Sequence, residues 1–272
     1  MNKILKDIFL TRNYDFICRN KLKNKNMKKL ICFLSLSLVL ASCSSDDSVA
    51  VDQTIPEEEI PGTILLKKMI SEGITTLYTY DGNKILKAES SDNSYEKYTY
   101  SGNLITKIEF FEADELIQTN TYTYNTDGKV ATFLRVEHLD NLGSKEVYTH
   151  NADGTITVNN LSGTATSQTF NDGTHKIIFA DGEVKRIERD GVIVHAYTYD
   201  TRNNPTKNVL GMDKISYTDG DADGIDHNIA MDEGRPGVAD DLVNAFEYNE
   251  DNFPTKINEH FEGEVVVYVL QY

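Results

Sequence analysis

SYEKYTYSGNLITKIEF, residues 94–110, reads as one complete β-hairpin. In Tyr98-Thr99-Tyr100 two rings point to one face of a strand and the threonine to the other, and all three residues favour extended backbone. Ser101-Gly102 supplies the positive φ of a tight turn, and Asn103 to Phe110 alternates again. With the turn at Ser101-Gly102, Tyr100 faces Asn103, Tyr98 faces Ile105 and Glu96 faces Lys107, a ring on an aliphatic and an opposite-charge pair.

The phrase recurs along the chain. Tyr78-Thr79-Tyr80-Asp81-Gly82 and Tyr122-Thr123-Tyr124-Asn125-Thr126-Asp127-Gly128 repeat it. Tyr148-Thr149-His150, Thr169-Phe170, Phe179-Ala180-Asp181-Gly182, Tyr197-Thr198-Tyr199-Asp200 and Phe246-Glu247-Tyr248 are looser copies, with His150 in a tyrosine slot. From Tyr80 onward, successive copies follow after 20, 24, 26 and 20 residues, one hairpin per step. About eight such units imply roughly sixteen strands, and the twist of that many antiparallel neighbours curls the sheet. The expected fold is all-β, antiparallel up-and-down hairpin repeats forming one large curved sheet or incomplete barrel. Most of the paired tyrosines read as core. Lys87, Lys107, Lys207 and Lys256, seven or eight residues after the second aromatic, read as a solvent face. Helical periodicity is confined to the short stretch Val238 to Phe246.

Charge divides the chain unevenly. Lys and Arg number 27 against 43 Asp and Glu, and nine of the basic residues but only two of the acidic ones lie in residues 1–42. The remaining 230 residues carry 18 basic against 41 acidic side chains, which excludes a general nucleic-acid binder. Lys28-Lys29 followed by the apolar run Leu30 to Ala41 reads as a signal peptide, with Met27 the expected initiator. That run is too short to span a bilayer, which takes about 20 residues.

Leu40-Ala41-Ser42-Cys43 resembles the lipobox of bacterial lipoproteins, which implies diacylglyceryl transfer to Cys43 and cleavage before it. The Ser/Asp run that follows resembles the export signals of Bacteroidetes-type surface lipoproteins, implying an outer-membrane, lipid-anchored, surface-exposed protein. Loss of Cys18 and Cys32 with the leader leaves no free thiol. The expected organisation is therefore a leader and signal over 1–42, an acidic flexible tether over 43–62, and a β-hairpin repeat domain over 63–272 with a loop insertion at about 211–245. The Tyr-x-Tyr-Asp phrases resemble the YD (RHS-type) repeat, most closely at Tyr78 to Lys84 and Tyr197 to Asn204. Together with the lipobox and tether, they look like uncharacterised Bacteroidetes lipoprotein families with a porin-like curved β-sheet.

The step from Tyr199 to Tyr248 is 49 residues, so an insertion interrupts the array. It holds Asp219-Gly220-Asp221-Ala222-Asp223-Gly224, the first half of a calcium loop, in which carboxylates at alternate positions converge on one cation. Asp219, Asp221, Asp223 and the carbonyl of Ile225 form the candidate metal set, with calcium the candidate cofactor. The twelfth position is Ala230 rather than Glu, so a plain acidic turn stands as the alternative. The six histidines lack metal-ligand spacing, and no G-x-S-x-G, P-loop or G-x-G-x-x-G is present, so no catalytic residue is named. The expectation is a monomeric, non-enzymatic binding or structural lipoprotein that meets the membrane through its anchor and a glycan or envelope protein through its folded part. The alternative is a glycan-active hydrolase with catalytic carboxylates in the concave face. A membrane-spanning barrel is disfavoured by the Thr, Lys, Glu and Asn of the second strand face.

Overall fold

The computed structural model describes residues 62–234 and 241–272. Its strands are β1 Lys68–Ser71, β2 Ile74–Asp81, β3 Lys84–Ser90, β4 Ser94–Ser101, β5 Leu104–Glu112, β6 Glu115–Tyr124, β7 Val130–Glu137 and β8 Leu142–His150. Then come β9 Ile156–Thr164, β10 Ser167–Ala180, β11 Glu183–Arg189, β12 Val192–Asn203, β13 His227–Asp232, β14 Leu242–Tyr248, β15 Pro254–Phe261 and β16 Glu264–Gln271. Each pairs with its sequence neighbours, and β1 also pairs antiparallel with β16, so the sheet is a closed barrel. Closure corrects the curved sheet or incomplete barrel expected from the sequence.

The repeats explain the closure. A register shift falls immediately before the second aromatic of the phrase, at Thr79/Tyr80, Thr99/Tyr100, Thr123/Tyr124, Ile178/Phe179 and Glu247/Tyr248. A bulge bends its strand and adds twist. Placed at the same point of successive hairpins, these bends accumulate in one direction until the edges meet. The hairpin register also departs from the expected one, because the turn lies one residue later and the bulge adds one further residue beyond Tyr100. The turn is Gly102-Asn103, with Ser101 opposite Leu104, Tyr100 opposite Ile105, Thr99 opposite Lys107, Tyr98 opposite Ile108 and Glu96 opposite Phe110. Gly102 has φ 59°, a value that suits glycine as the first central residue of this turn.

The rings face inward. Tyr80, Tyr98, Tyr122, Tyr148 and Tyr197 are buried in one core with Ile105, Ile108, Phe133, Val158 and Ile187. The second ring of a phrase also reaches back to the preceding hairpin. Tyr124 donates its hydroxyl to the carbonyl of Ile105, and Tyr199 donates to the carbonyl of Val184 at 2.8 Å. His150 Nε2 lies 2.8 Å from the carbonyl of Val130, taking over the tyrosine's part. All three carbonyls sit at the start of a return strand, beside its bulge, so each bond fastens one repeat to the next.

On the outer face Lys87 pairs with Glu89 at 2.9 Å, Lys107 with Glu109 at 2.9 Å and Lys256 with Glu247 at 3.1 Å, as a solvated face requires. Lys207 stands off the strands and meets Asp226 at 3.5 Å. The stretch expected to be helical is strand β14 from Leu242, because Leu242, Asn244 and Phe246 turn inward while Val243, Ala245 and Glu247 are exposed. Among the described residues the helix is α1, Met212–Ile215. Cys43 and the tether up to residue 61 lie outside the described residues, as do residues 235–240.

Candidate functional site

The insertion is a plug. The chain leaves β12 at Asn203, and residues 204–226 fill the barrel before β13 begins at His227. Val209, Met212, Ile215, Tyr217 and Ala222 are buried in the same core as the wall tyrosines. Polar tethers fix the plug's height. The Leu210 N–H donates to the carbonyl of Asn83 at 2.9 Å, Tyr100 donates to the carbonyl of Leu210 at 3.2 Å, and Asn208 Nδ2 donates to the carbonyl of Ile64 at 2.9 Å.

The residues proposed as a calcium set go to separate partners. Asp219 takes Arg135 Nη1 from wall strand β7 at 2.7 Å, and its N–H donates to Glu146 at 2.7 Å. Asp221 accepts the hydroxyl of Tyr197. Asp223 is 6% exposed, and its N–H donates to the carbonyl of Ser216 at 2.6 Å. At Ile225 the N–H donates to Glu183 at 2.8 Å. Gly224 serves close approach: a Cβ there would stand 1.8 Å from the carbonyl oxygen of His227.

The barrel interior is layered, and one layer carries the polar chemistry. Two residues before the first aromatic of the phrase, on the same inward face, stand Thr76, Glu96, Asn120, Glu146, His195 and Asn244. Tyr98 donates its hydroxyl to Glu96 and Tyr148 donates to Glu146. Burial, reinforced by these carboxylates, pushes the Tyr98 and Tyr148 hydroxyls well above their ordinary pKa, and burial with Asp221 and Asp232 does the same to Tyr197. The phenols therefore remain protonated donors. Reading the repeat as an aromatic pair overlooks this layer, although the position two residues upstream of each pair marks it in the sequence.

Arg135 and Glu137 face inward and are 33% and 24% exposed at the side chain, so water reaches the polar half of the lumen. His175 on β10 is 2% exposed. Its Nδ1 lies 3.1 Å from Asn160 Nδ2, which leaves the N–H on Nε2, and that atom has no partner among the described residues. Burial, with Arg189 and His195 adding to it, lowers the His175 pKa to about 4, so the ring is neutral at pH 7. On the opposite wall, Met69, Tyr78, Tyr98 and Phe110 meet Val209 and Met212 around a cavity of about 50 Å³, with Glu96 at its edge. Sites for drug-sized ligands run to about 300–1,000 Å³, so this cavity holds a few waters or a small group.

The outer surface is Thr-, Lys- and Glu-rich on most strands, with Lys97 and Thr99 on β4 and Thr123 on β6 exposed. Strand β16 differs, since Val265, Val267 and Val269 are all exposed.

No protein-family model matches the sequence, and no curated protein matches it. Among solved structures the chain is similar to a porin-like protein from Bacteroides uniformis ATCC 8492, at 10% identity and a TM-score of 0.44, covering 76% of this chain and 98% of that one. It is also similar to a porin-like protein from Bacteroides vulgatus ATCC 8482, at 11% identity and a TM-score of 0.39, with the same two coverages.

Proposed function

We propose that this chain is a water-facing, plugged β-barrel, anchored to the outer membrane through a lipid on Cys43, that binds or braces an envelope component and neither conducts nor catalyses. The observation that carries this reading is the lumen: residues 204–226 pack into the barrel's own core, so the space a channel would need is occupied by the chain itself. The outer face supports it. A barrel spanning a bilayer presents an apolar band about 25 Å tall flanked by aromatic girdles, whereas Lys87, Lys107 and Lys256 pair with acids across the outside of this one. Such a barrel needs an anchor, and the lipobox at Cys43 supplies it. The partner is a glycan or an envelope protein meeting the outer face or the hairpin ends.

Two measurements on the full chain test the reading. A clickable palmitate analogue should label the wild-type protein in a bacterial host and leave Cys43→Ala unlabelled. The purified protein should give no unitary conductance in planar bilayers. Discrete channel openings would overturn the plugged, water-facing barrel, and labelling that survives Cys43→Ala would overturn the anchor.

A further inference from the structure

Three side chains meet where the plug touches strands β12 and β13: His195 and Asp232 from the wall and Asp221 from the plug. We propose that they bind a divalent transition-metal cation of the zinc class, which pins the plug to the barrel. One donor atom from each lies within 4.8 Å of the others. His195 Nδ1 is 3.0 Å from Asp232 Oδ2 and 3.9 Å from Asp221 Oδ1. Zinc bonds of about 2.0–2.2 Å at tetrahedral angles place neighbouring donors roughly 3.3–3.6 Å apart, inside that range.

Charge and burial argue in the same direction. Asp232 is 4% exposed and Asp221 8%. Two buried carboxylates beside one imidazole carry an excess of negative charge that a divalent cation offsets. The Gly234 N–H donates to Asp232 Oδ1 at 2.9 Å and leaves Oδ2 toward His195, as donors behind a metal ligand commonly orient it. At Asp221 the Tyr197 hydroxyl and the Ala222 N–H, the latter at 2.8 Å, hold Oδ1, so Oδ2 is the oxygen that would take the cation. Three protein ligands leave a fourth position for water. An imidazole in a small donor set selects a transition ion over calcium, which takes six to eight oxygens. This site uses one aspartate of the Asp219–Gly224 run and is distinct from a calcium loop.

The test uses the untagged full chain in detergent, with cobalt as a spectroscopic stand-in for zinc. One cobalt per chain should bind with the ligand-field absorption of a four-coordinate N/O site, be displaced by stoichiometric zinc, and resist millimolar calcium. His195→Gln and Asp232→Asn should each weaken binding by about 100-fold or more, with folding checked by circular dichroism, and Asp223→Asn should leave it unchanged. Zinc should also raise the melting temperature of the wild type relative to chelator. Failure of the folded wild type to take up cobalt or zinc stoichiometrically would sink the proposal. So would unchanged affinity in both ligand variants, or displacement of cobalt by calcium.

Discussion

The carboxylate of Glu183, on the wall, accepts the backbone N–H of Ile225 in the plug at 2.8 Å. The same side chain takes the next two amides, those of Asp226 at 2.8 Å and His227 at 2.9 Å. Three consecutive N–H groups thus converge on one carboxylate that is 6% exposed, and the end of the plug is held by the wall rather than by secondary structure of its own.

Replacing Glu183 tests that clamp. Hydrogen bonds to a charged acceptor contribute more than neutral ones, and removing the acceptor strands the donors. Glu183→Ala should destabilise the fold by about 3–5 kcal/mol, read as a lower urea midpoint. Glu183→Gln should fall between that variant and wild type, because its carbonyl still serves Asp226 and His227 while its amide opposes Ile225. An alanine variant as stable as wild type would show that the plug is held by apolar packing alone.

His175 gives the barrel a pH dependence on the acid side. Its pKa is lowered from 6.5 to about 4 by burial, with Arg189 and His195 contributing. Between those values the unfolded chain binds a proton that the folded chain refuses, so stability falls as pH drops through this window and is fully retained above it. The expected loss is about 3 kcal/mol at most by pH 4. His175→Gln should flatten the slope of unfolding free energy against pH between 6.5 and 4 relative to wild type. Identical slopes would mean that the ring protonates freely in the folded state.

The tyrosines give a dependence at the alkaline end. Tyr98, Tyr148 and Tyr197 are held well above their ordinary pKa of 10.0, by burial first and by neighbouring carboxylates after it. Their contribution is complete below pH 10 and is lost as the pH climbs above it, because the unfolded chain then releases protons that the folded one keeps. In a titration followed by phenolate absorbance, exposed rings should ionise gradually near pH 10, and the buried ones should appear only in a cooperative step that coincides with loss of circular dichroism. Smooth ionisation of every ring before unfolding would contradict the inward placement.

That placement was legible in the sequence, since two rings spaced by one threonine can share a face only in a strand, and Tyr98 and Tyr122 do lie in the core. The register and the closure were not. Closure depends on the bulge between Thr99 and Tyr100, which no residue type announces, and the register on a turn one residue later than expected, at Gly102-Asn103, which moves Ile105 from opposite Tyr98 to opposite Tyr100. The plug was visible only as an interruption. Asp219, Asp221 and Asp223 look like a surface loop because aspartates seldom enter a core, and each is inside because a wall group receives it or its neighbours, Arg135 for Asp219 and Tyr197 for Asp221. Partners so remote in the chain, such as Arg135 and Asp219, cannot be paired by spacing. The polar layer two residues before each ring pair was within reach, because the β period of two assigns Glu96 and Glu146 to the face of Tyr98 and Tyr148.

Two glycines separate turn chemistry from packing. At Gly102 a Cβ would meet nothing within 4 Å, and alanine pays only for φ 59° in the left-handed region. Gly102→Ala should therefore cost about 1–2 kcal/mol. At Gly224 the Cβ would fall 1.8 Å from the carbonyl oxygen of His227 and 2.7 Å from Asn204 Nδ2, so the plug's exit and the first residue of β13 must separate. That separation also pulls His227 from the Glu183 clamp. Gly224→Ala should cost about 3 kcal/mol or more in urea unfolding, clearly above Gly102→Ala. Because the clash bears on the clamp, combining Gly224→Ala with Glu183→Ala should cost less than the two losses added together. Strict additivity would mean that the plug's exit and the carboxylate act independently, and that the close approach at Gly224 serves only the local turn.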